Sequence, residues 1–169
     1  MAAVVAPNLP RIRMMRREDL PQVSLIEREA YEFPWSPGIF RDCMKAGHAC
    51  WVLAWPGEVV GYGILSAAAG EAHVLNLCVD PQHQGMGHGR RMLRRLLDLA
   101  RWHGASRVFL EVRPSNEAAH RLYLDHDFVE IGRRPRYYPA EKGREDAIVM
   151  MHKLAPDQPD QPDQPDQPG

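Results

Sequence analysis

The sequence predicts an α/β fold in which a central mixed β-sheet is flanked by about four helices. Three observations predict it. Strand-like and helix-like segments alternate along the chain. Two apolar runs, Ala49–Trp55 and Val59–Ala67, are joined by a short Pro-Gly turn, which makes them an antiparallel hairpin. From Ala72 to Val112 a strand, a glycine-rich turn, a long amphipathic helix and a further strand follow one another, a unit that lays strands parallel.

Each element has its own signal. Ile12–Met15 is a short strand. Asp19 and Gln22 have the spacing of a capping box, and Leu20, Val23, Ile26 and Ala30 recur on one helical face. Pro34 and Pro37 interrupt, so Phe33–Pro37 (FPWSP) is a loop before a short helix over Gly38–Lys45. Pro56, Gly57 and Glu58 turn the hairpin, and Ala72–Val79 is a third apolar strand, broken by Asp80-Pro81. The turn Gln84–Gly89 (QGMGHG) opens the clearest helix. Gly89, Met92, Leu93, Leu96, Leu97 and Ala100 mark its dry face, and Arg90, Arg91, Arg94, Arg95, Asp98 and Arg101 its wet one. Gly104 ends it. Arg107–Val112 is a strand, Asn116–Asp125 a helix, and Phe128–Arg133 and Ala147–His152 are strands.

Composition narrows the class of protein. With 169 residues, 44% of them hydrophobic, the chain can bury one core of ordinary size. Its 21 basic and 22 acidic side chains give a net charge of -1, which argues against direct nucleic-acid or anionic-membrane binding. Residues 156–169 repeat the triplet PDQ, hold four of the aspartates and no basic residue, and contain no core-forming side chain. They are expected to be a disordered appendix, residues 1–10 a flexible start, and residues 11–155 the folded domain, a mildly basic one. No stretch approaches the ~18–20 consecutive apolar residues of a membrane span. Cys43, Cys50 and Cys78 are odd in number and form no C-x-x-C, so a reducing cytoplasmic compartment is expected. The histidines follow no ligand spacing, and no metal is expected.

Glycines at 85, 87 and 89 stand between a strand and a helix. Without Cβ atoms, this backbone can approach an anion closely, and the helix start adds unpaired N–H groups and the positive end of its dipole. Arg90 and Arg91 follow at once. The turn reads as a pyrophosphate cradle; a plain flexible loop is the alternative. No Gly-Lys-Ser/Thr follows, and the G-x-G-x-G spacing is a poor match to a dinucleotide fingerprint.

Val79–Gly89, reading VDPQHQGMGHG, resembles the acyl-CoA-binding signature of the GNAT superfamily of N-acetyltransferases. Leu110–Asn116 (LEVRPSN), Leu122-Tyr123 and Phe128 resemble the second half of that family. Phe33–Ser36 (FPWS), Tyr137–Pro139 (YYP) and Gly143–Ala147 (GREDA) are similar to its RimI-type ribosomal-protein-alanine N-acetyltransferases. The resemblance covers roughly Arg11–Leu154. It implies acetyl-CoA as cosubstrate, with Leu77, Cys78 and Val79 along the pantetheine and Gly85, Met86, Gly87, His88, Gly89 and Arg90 around the pyrophosphate. It implies Asn116 as a further CoA contact, and Trp35, Tyr137 and Tyr138 at the groove for a peptide N-terminus. The partner implied is the N-terminal peptide of a small-subunit ribosomal protein. A monomer is expected.

Acetyl transfer to an amine needs that amine neutral, and an α-amino group with a pKa of about 8 is mostly protonated at neutral pH. Glu111, amid Val108, Phe109, Leu110 and Val112, is the candidate base; burial in such a strand would raise its pKa. The alternative is an ion pair with Arg113, two residues on along the same strand face. Tyr123, two helical turns after Asn116, is the candidate acid or else a core residue; the resemblance implies the acid role for it and the base role for Glu111. Backbone N–H groups near Cys78–Val79 would meet the oxyanion. Cys78 has no base in any pattern and is not read as a nucleophile. Glu141, Glu145 and Asp146 either attract a basic peptide or form a solvated loop. One departure from the family stands at Asp127, where the L-Y-x-x-x-G-F pattern has glycine.

Overall fold

The structure, a computed structural model, describes residues 8–155. Seven strands form one sheet in the order β1-β2-β3-β4-β5-β7-β6. They are β1 (Arg11–Met14), β2 (Ala49–Trp55), β3 (Glu58–Ala68), β4 (Glu71–Val79), β5 (Arg107–Val112), β6 (Val129–Ala140) and β7 (Gly143–Lys153). Every pairing is antiparallel except β4 with β5. Four helices of more than one turn cover the faces: α1 (Leu20–Ala30), α2 (Pro37–Lys45), α3 (His88–Trp102) and α4 (Glu117–Leu124). The mixed sheet and its four helices are the predicted α/β architecture.

Each face of the sheet has its own core. On one side Val23, Ile26 and Phe40 of α1 and α2 pack on Val52, Tyr62 and Ile64. On the other, Met92, Leu93, Leu96, Leu97 and Ala100 of α3 pack with Leu110, Val112, Tyr123 and Phe128. The predicted dry face of α3 is the buried one because these residues recur with the helical period. Helix and sheet approach closely where β3 has Gly63. A Cβ there would lie 2.8 Å from Met92 Cγ and 3.0 Å from Leu96 Cδ1.

Three expectations need correction. Asp19 and Gln22 form no capping box. Asp19 is 5% exposed and accepts two hydrogen bonds from Arg13, at 2.7 and 2.8 Å, and one from Arg16 N; Gln22 instead secures the β2–β3 hairpin by accepting from Val59 N. The carbonyls of Asn8 and Pro10, in a segment expected to be loose, accept from Trp55 Nε1 and Arg91 Nη1, so the folded region begins before residue 11. The tail at 156–169 and residues 1–7 lie outside the described residues. Last, the final two strands run well beyond the expected Phe128–Arg133 and Ala147–His152, so that Tyr137–Pro139 and Glu145-Asp146 belong to the long hairpin β6–β7. Pro135 and Pro139 and the charged residues hid it, because β6 is an edge strand exposed on both faces and shows no alternation.

Candidate active site

A gap in the sheet creates the site. The parallel pairing of β4 with β5 covers only Glu71–His73 against Arg107–Phe109. Directly afterwards β4 carries an irregularity opposite Ile64/Leu65, which bends it away from β5. The parted strands open into a cleft of about 620 Å³, with Leu77, Cys78 and Val79 on one wall and Asn116, Ala119, Leu122 and Tyr123 of α4 on the other. Asp80 N bonds back to Val60 O, whereas Leu77 O and Val79 O accept from Tyr31 and Gln84. By strand alternation, the polar backbone of Leu77 and Val79 therefore faces away from β3, toward the gap. Gly61 lets β3 lie against this stretch; a Cβ there would sit 3.0 Å from Cys78 O.

At the inner end, Gly85 and Gly87 have φ of 80° and 83°, a left-handed backbone that glycine adopts without strain. Gly87 caps α3 with no side chain, and Arg91 N is the first to close a helical bond, to Gly87 O at 3.1 Å. The N–H groups before it stay open beside Gly87, His88, Gly89 and Arg90, all in the cleft wall. An anion such as a pyrophosphate fits this cradle on charge and on backbone access. His88 contributes backbone only. Its ring is buried against Trp55 with both nitrogens unpartnered, and burial with Arg91 nearby lowers its pKa. The structure does not bring Met86 to the wall; its side chain is 64% exposed.

Asn116 lines the cleft, but as the cap of α4 rather than within it. Its Oδ1 accepts from Ala119 N at 3.2 Å, which leaves the amide NH₂ for a ligand. Tyr123 is buried beside Phe128. Burial raises its pKa, and the nearby Tyr138 and Cys78 add to this, so it holds its proton throughout the physiological range. Burial pushes the Cys78 thiol up to about 12, which leaves almost no thiolate and supports reading it as a plain wall residue.

Glu111 differs from expectation in both respects. Its partner is not Arg113 but His73, with Nε2 to Oε2 at 2.6 Å, and Arg134 lies at 3.5 Å. Its pKa is lowered, not raised, because the His73 hydrogen bond outweighs desolvation, and the charges of His73 and Arg134 act the same way. Glu111 lies outside the cleft wall proper and near Tyr138, whose pKa burial and the Glu111 charge push up to about 12. His73 was not singled out from the sequence. Its only signal is the parallel register that sets it against Phe109, two residues from Glu111, and that register is not written in either strand.

At the outer end, Tyr31, Glu32 and Phe33 face Arg113, Ala140 and Glu145 across the cleft mouth. Trp35, Tyr137 and Tyr138 are not among the residues lining the cleft, and Tyr137 is 47% exposed. Trp35 packs on Phe40 at 5.3 Å, and its backbone N–H donates to the buried Glu27. Glu145 and Asp146 are engaged internally. Glu145 accepts from Ser115 and Arg113, and Asp146 from Arg136 N, so neither is a free acidic loop residue.

Comparisons with known proteins agree with this geometry. The profile of the Acetyltransferase (GNAT) family matches residues 3–128. The [ribosomal protein bS18]-alanine N-acetyltransferase of Escherichia coli K12 is 37% identical over 139 residues, which are 82% of this chain and 94% of that one. The crystal structure of the ribosomal-protein-S18-alanine N-acetyltransferase from Escherichia coli superposes with a TM-score of 0.79 at 35% identity, covering 88% of this chain and 97% of that one. A Salmonella typhimurium protein solved with its cofactor acetyl-CoA shares the fold at TM-score 0.74 and 22% identity, covering 90% of this chain and 99% of that one. A parted parallel strand pair with a glycine cradle at one end, a family profile over three quarters of the chain and a relative this similar have one conclusion: the chain belongs to the GNAT family of acetyltransferases.

Proposed function

We propose that this chain acetylates the N-terminal alanine of a small-subunit ribosomal protein in the cytoplasm, using acetyl-CoA. The observation that carries the proposal is the cleft with an anion cradle at one end, an open aromatic rim at the other and ionisable groups between them, in a chain 37% identical to an enzyme named for that substrate. Acetyl-CoA supplies the thioester from which the acetyl group moves. The N–H groups of Gly87–Arg90 would hold its pyrophosphate, the backbone of Leu77–Val79 its pantetheine arm, and the Asn116 amide would add a further contact.

Glu111 takes the proton of the incoming α-amine, directly or through water, as general base. Because His73 keeps this carboxylate ionised, it is ready at any pH where some amine is neutral. The N–H groups turned toward the gap stabilise negative charge on the carbonyl oxygen. Tyr123, which keeps its proton, gives it to the departing thiolate. The amine attacks directly, without an acyl-enzyme, in keeping with the depressed thiolate content of Cys78.

Thiol release with three Arg-rich peptides tests the proposal: a free alanine start, a blocked alanine start carrying a lysine, and a free bulky start. Turnover confined to the first is expected. Turnover on the blocked peptide would make the enzyme a lysine acetyltransferase and remove the Nα proposal. Binding of acetyl-CoA without turnover of any peptide would remove it too and direct the search to small amines.

A further inference from the structure

Arg113, directly after β5, touches two separate segments at the cleft mouth. Its Nη1 donates to Pro139 O at 2.7 Å and lies 3.4 Å from Glu145 Oε2, both on the β6–β7 hairpin. Its guanidinium carbon is 4.3 Å from the ring centroid of Tyr138 on the same hairpin. It is also 5.8 Å from the ring centroid of Phe33, in the loop between α1 and α2. Glu145 is itself fixed by Ser115, through N at 2.7 Å and Oγ at 2.9 Å, so the hairpin end of this arrangement is rigid. Among the described residues no hydrogen bond, ion pair or ring contact joins the Phe33 loop to the hairpin directly. Among these contacts of the described residues, Arg113 is the link between the two rims.

We infer that Arg113 is a positioning residue that sets the gap between these two rims, and with it the affinity for the acceptor chain. The inference rests on the proposed entry of the acceptor at this mouth. A cation within about 6 Å of a ring face is attracted to it. A planar guanidinium can stack on an aromatic ring while still donating in its own plane, which an ammonium cannot. Arg113 has no contact with Glu111, whose partners are His73 and Arg134, so its influence runs through the width of the mouth and not through proton transfer.

Kinetics on Arg113→Ala and Arg113→Lys test this. The KM for the free-alanine peptide is expected to rise roughly tenfold in the alanine variant, the order a lost partly desolvated cation–π contact gives. The rise is expected to be smaller in the lysine variant, with kcat and the acetyl-CoA KM unmoved in both. Tyr138→Leu is expected to raise the same KM, more than Phe33→Leu does because its ring is closer. Combined with Arg113→Ala, Tyr138→Leu should add little, since both remove one contact. Hydrogen exchange supplies a readout independent of any acceptor: Arg113→Ala should speed exchange in segments 31–36 and 138–145 together. A loss confined to kcat, a raised acetyl-CoA KM, additive effects in the double variant, or faster exchange in only one segment would overturn the inference. If the wild-type protein acetylates no peptide, the proposed function falls by itself, and the exchange result alone decides the role of Arg113.

Discussion

At the residue scale, the Glu111 carboxylate shows how one neighbour reverses an expectation. Burial alone would raise its pKa; the imidazole of His73 at 2.6 Å holds it down instead. A depressed carboxylate contributes stability above its unfolded value of about 4.3, lost only as the pH falls through the lower folded value. It therefore cannot supply a limb near neutrality in a pH–rate profile. The acid limb of kcat/KM is expected to follow the amine of the peptide, and peptides with a lower amine pKa should move it down by the same amount. A limb that stays in place across such peptides would show that an enzyme group titrates there. Asp127 is a second residue-scale case. Its φ of 64° is left-handed, as the missing family glycine suggested, and its N–H closes the end of α4 on Leu124 O. Asp127→Gly should stabilise the protein by about 1 kcal/mol, visible as a rise in Tm of about 2–4 °C.

At the element scale, the course of β4 matters most. It pairs with β5 for three residues, bends, and leaves Leu77–Val79 with backbone groups turned to the gap. Gly61→Ala on β3 would press a methyl to 3.0 Å from Cys78 O, and backbone yields less easily than a side chain. It should lower kcat/KM by moving the wall of the cleft, with a stability loss of roughly 1–3 kcal/mol by denaturant unfolding. Unchanged kinetics would mean that the wall absorbs the shift. The strands and helices up to residue 125 were legible within one residue at their ends, because half-buried strands and one-sided helices carry their periods in the sequence. The β6–β7 hairpin was not. Exposed on both faces over β6, it is held by register to β7, by Arg113 on Pro139 and by Arg144 on Arg136 and Tyr137, none of which is a local pattern.

At the scale of the whole molecule, the parted parallel pair places the glycine cradle and the mouth at Phe33 and Arg113 along one cleft, with the Glu111 carboxylate outside its wall. The glycine turn was readable because backbone access marks it, whereas Glu111 and Tyr123 were named from family motifs and their roles stand as proposals. His73, the turned-away Trp35 and the bridging Arg113 were not readable, since each depends on segments far apart in the chain. Among the described residues no helix is long and apolar enough to cross a membrane. Proton removal by Glu111 is the step on which the proposed chemistry depends. The most direct test is kcat against pH on the free-alanine peptide for wild type and Glu111→Gln, with melting curves alongside. A drop of about 10²–10⁴-fold, the usual contribution of a general base, with an unchanged acid limb and a folded variant, is the expected result. Equal rates for the two proteins would contradict the account.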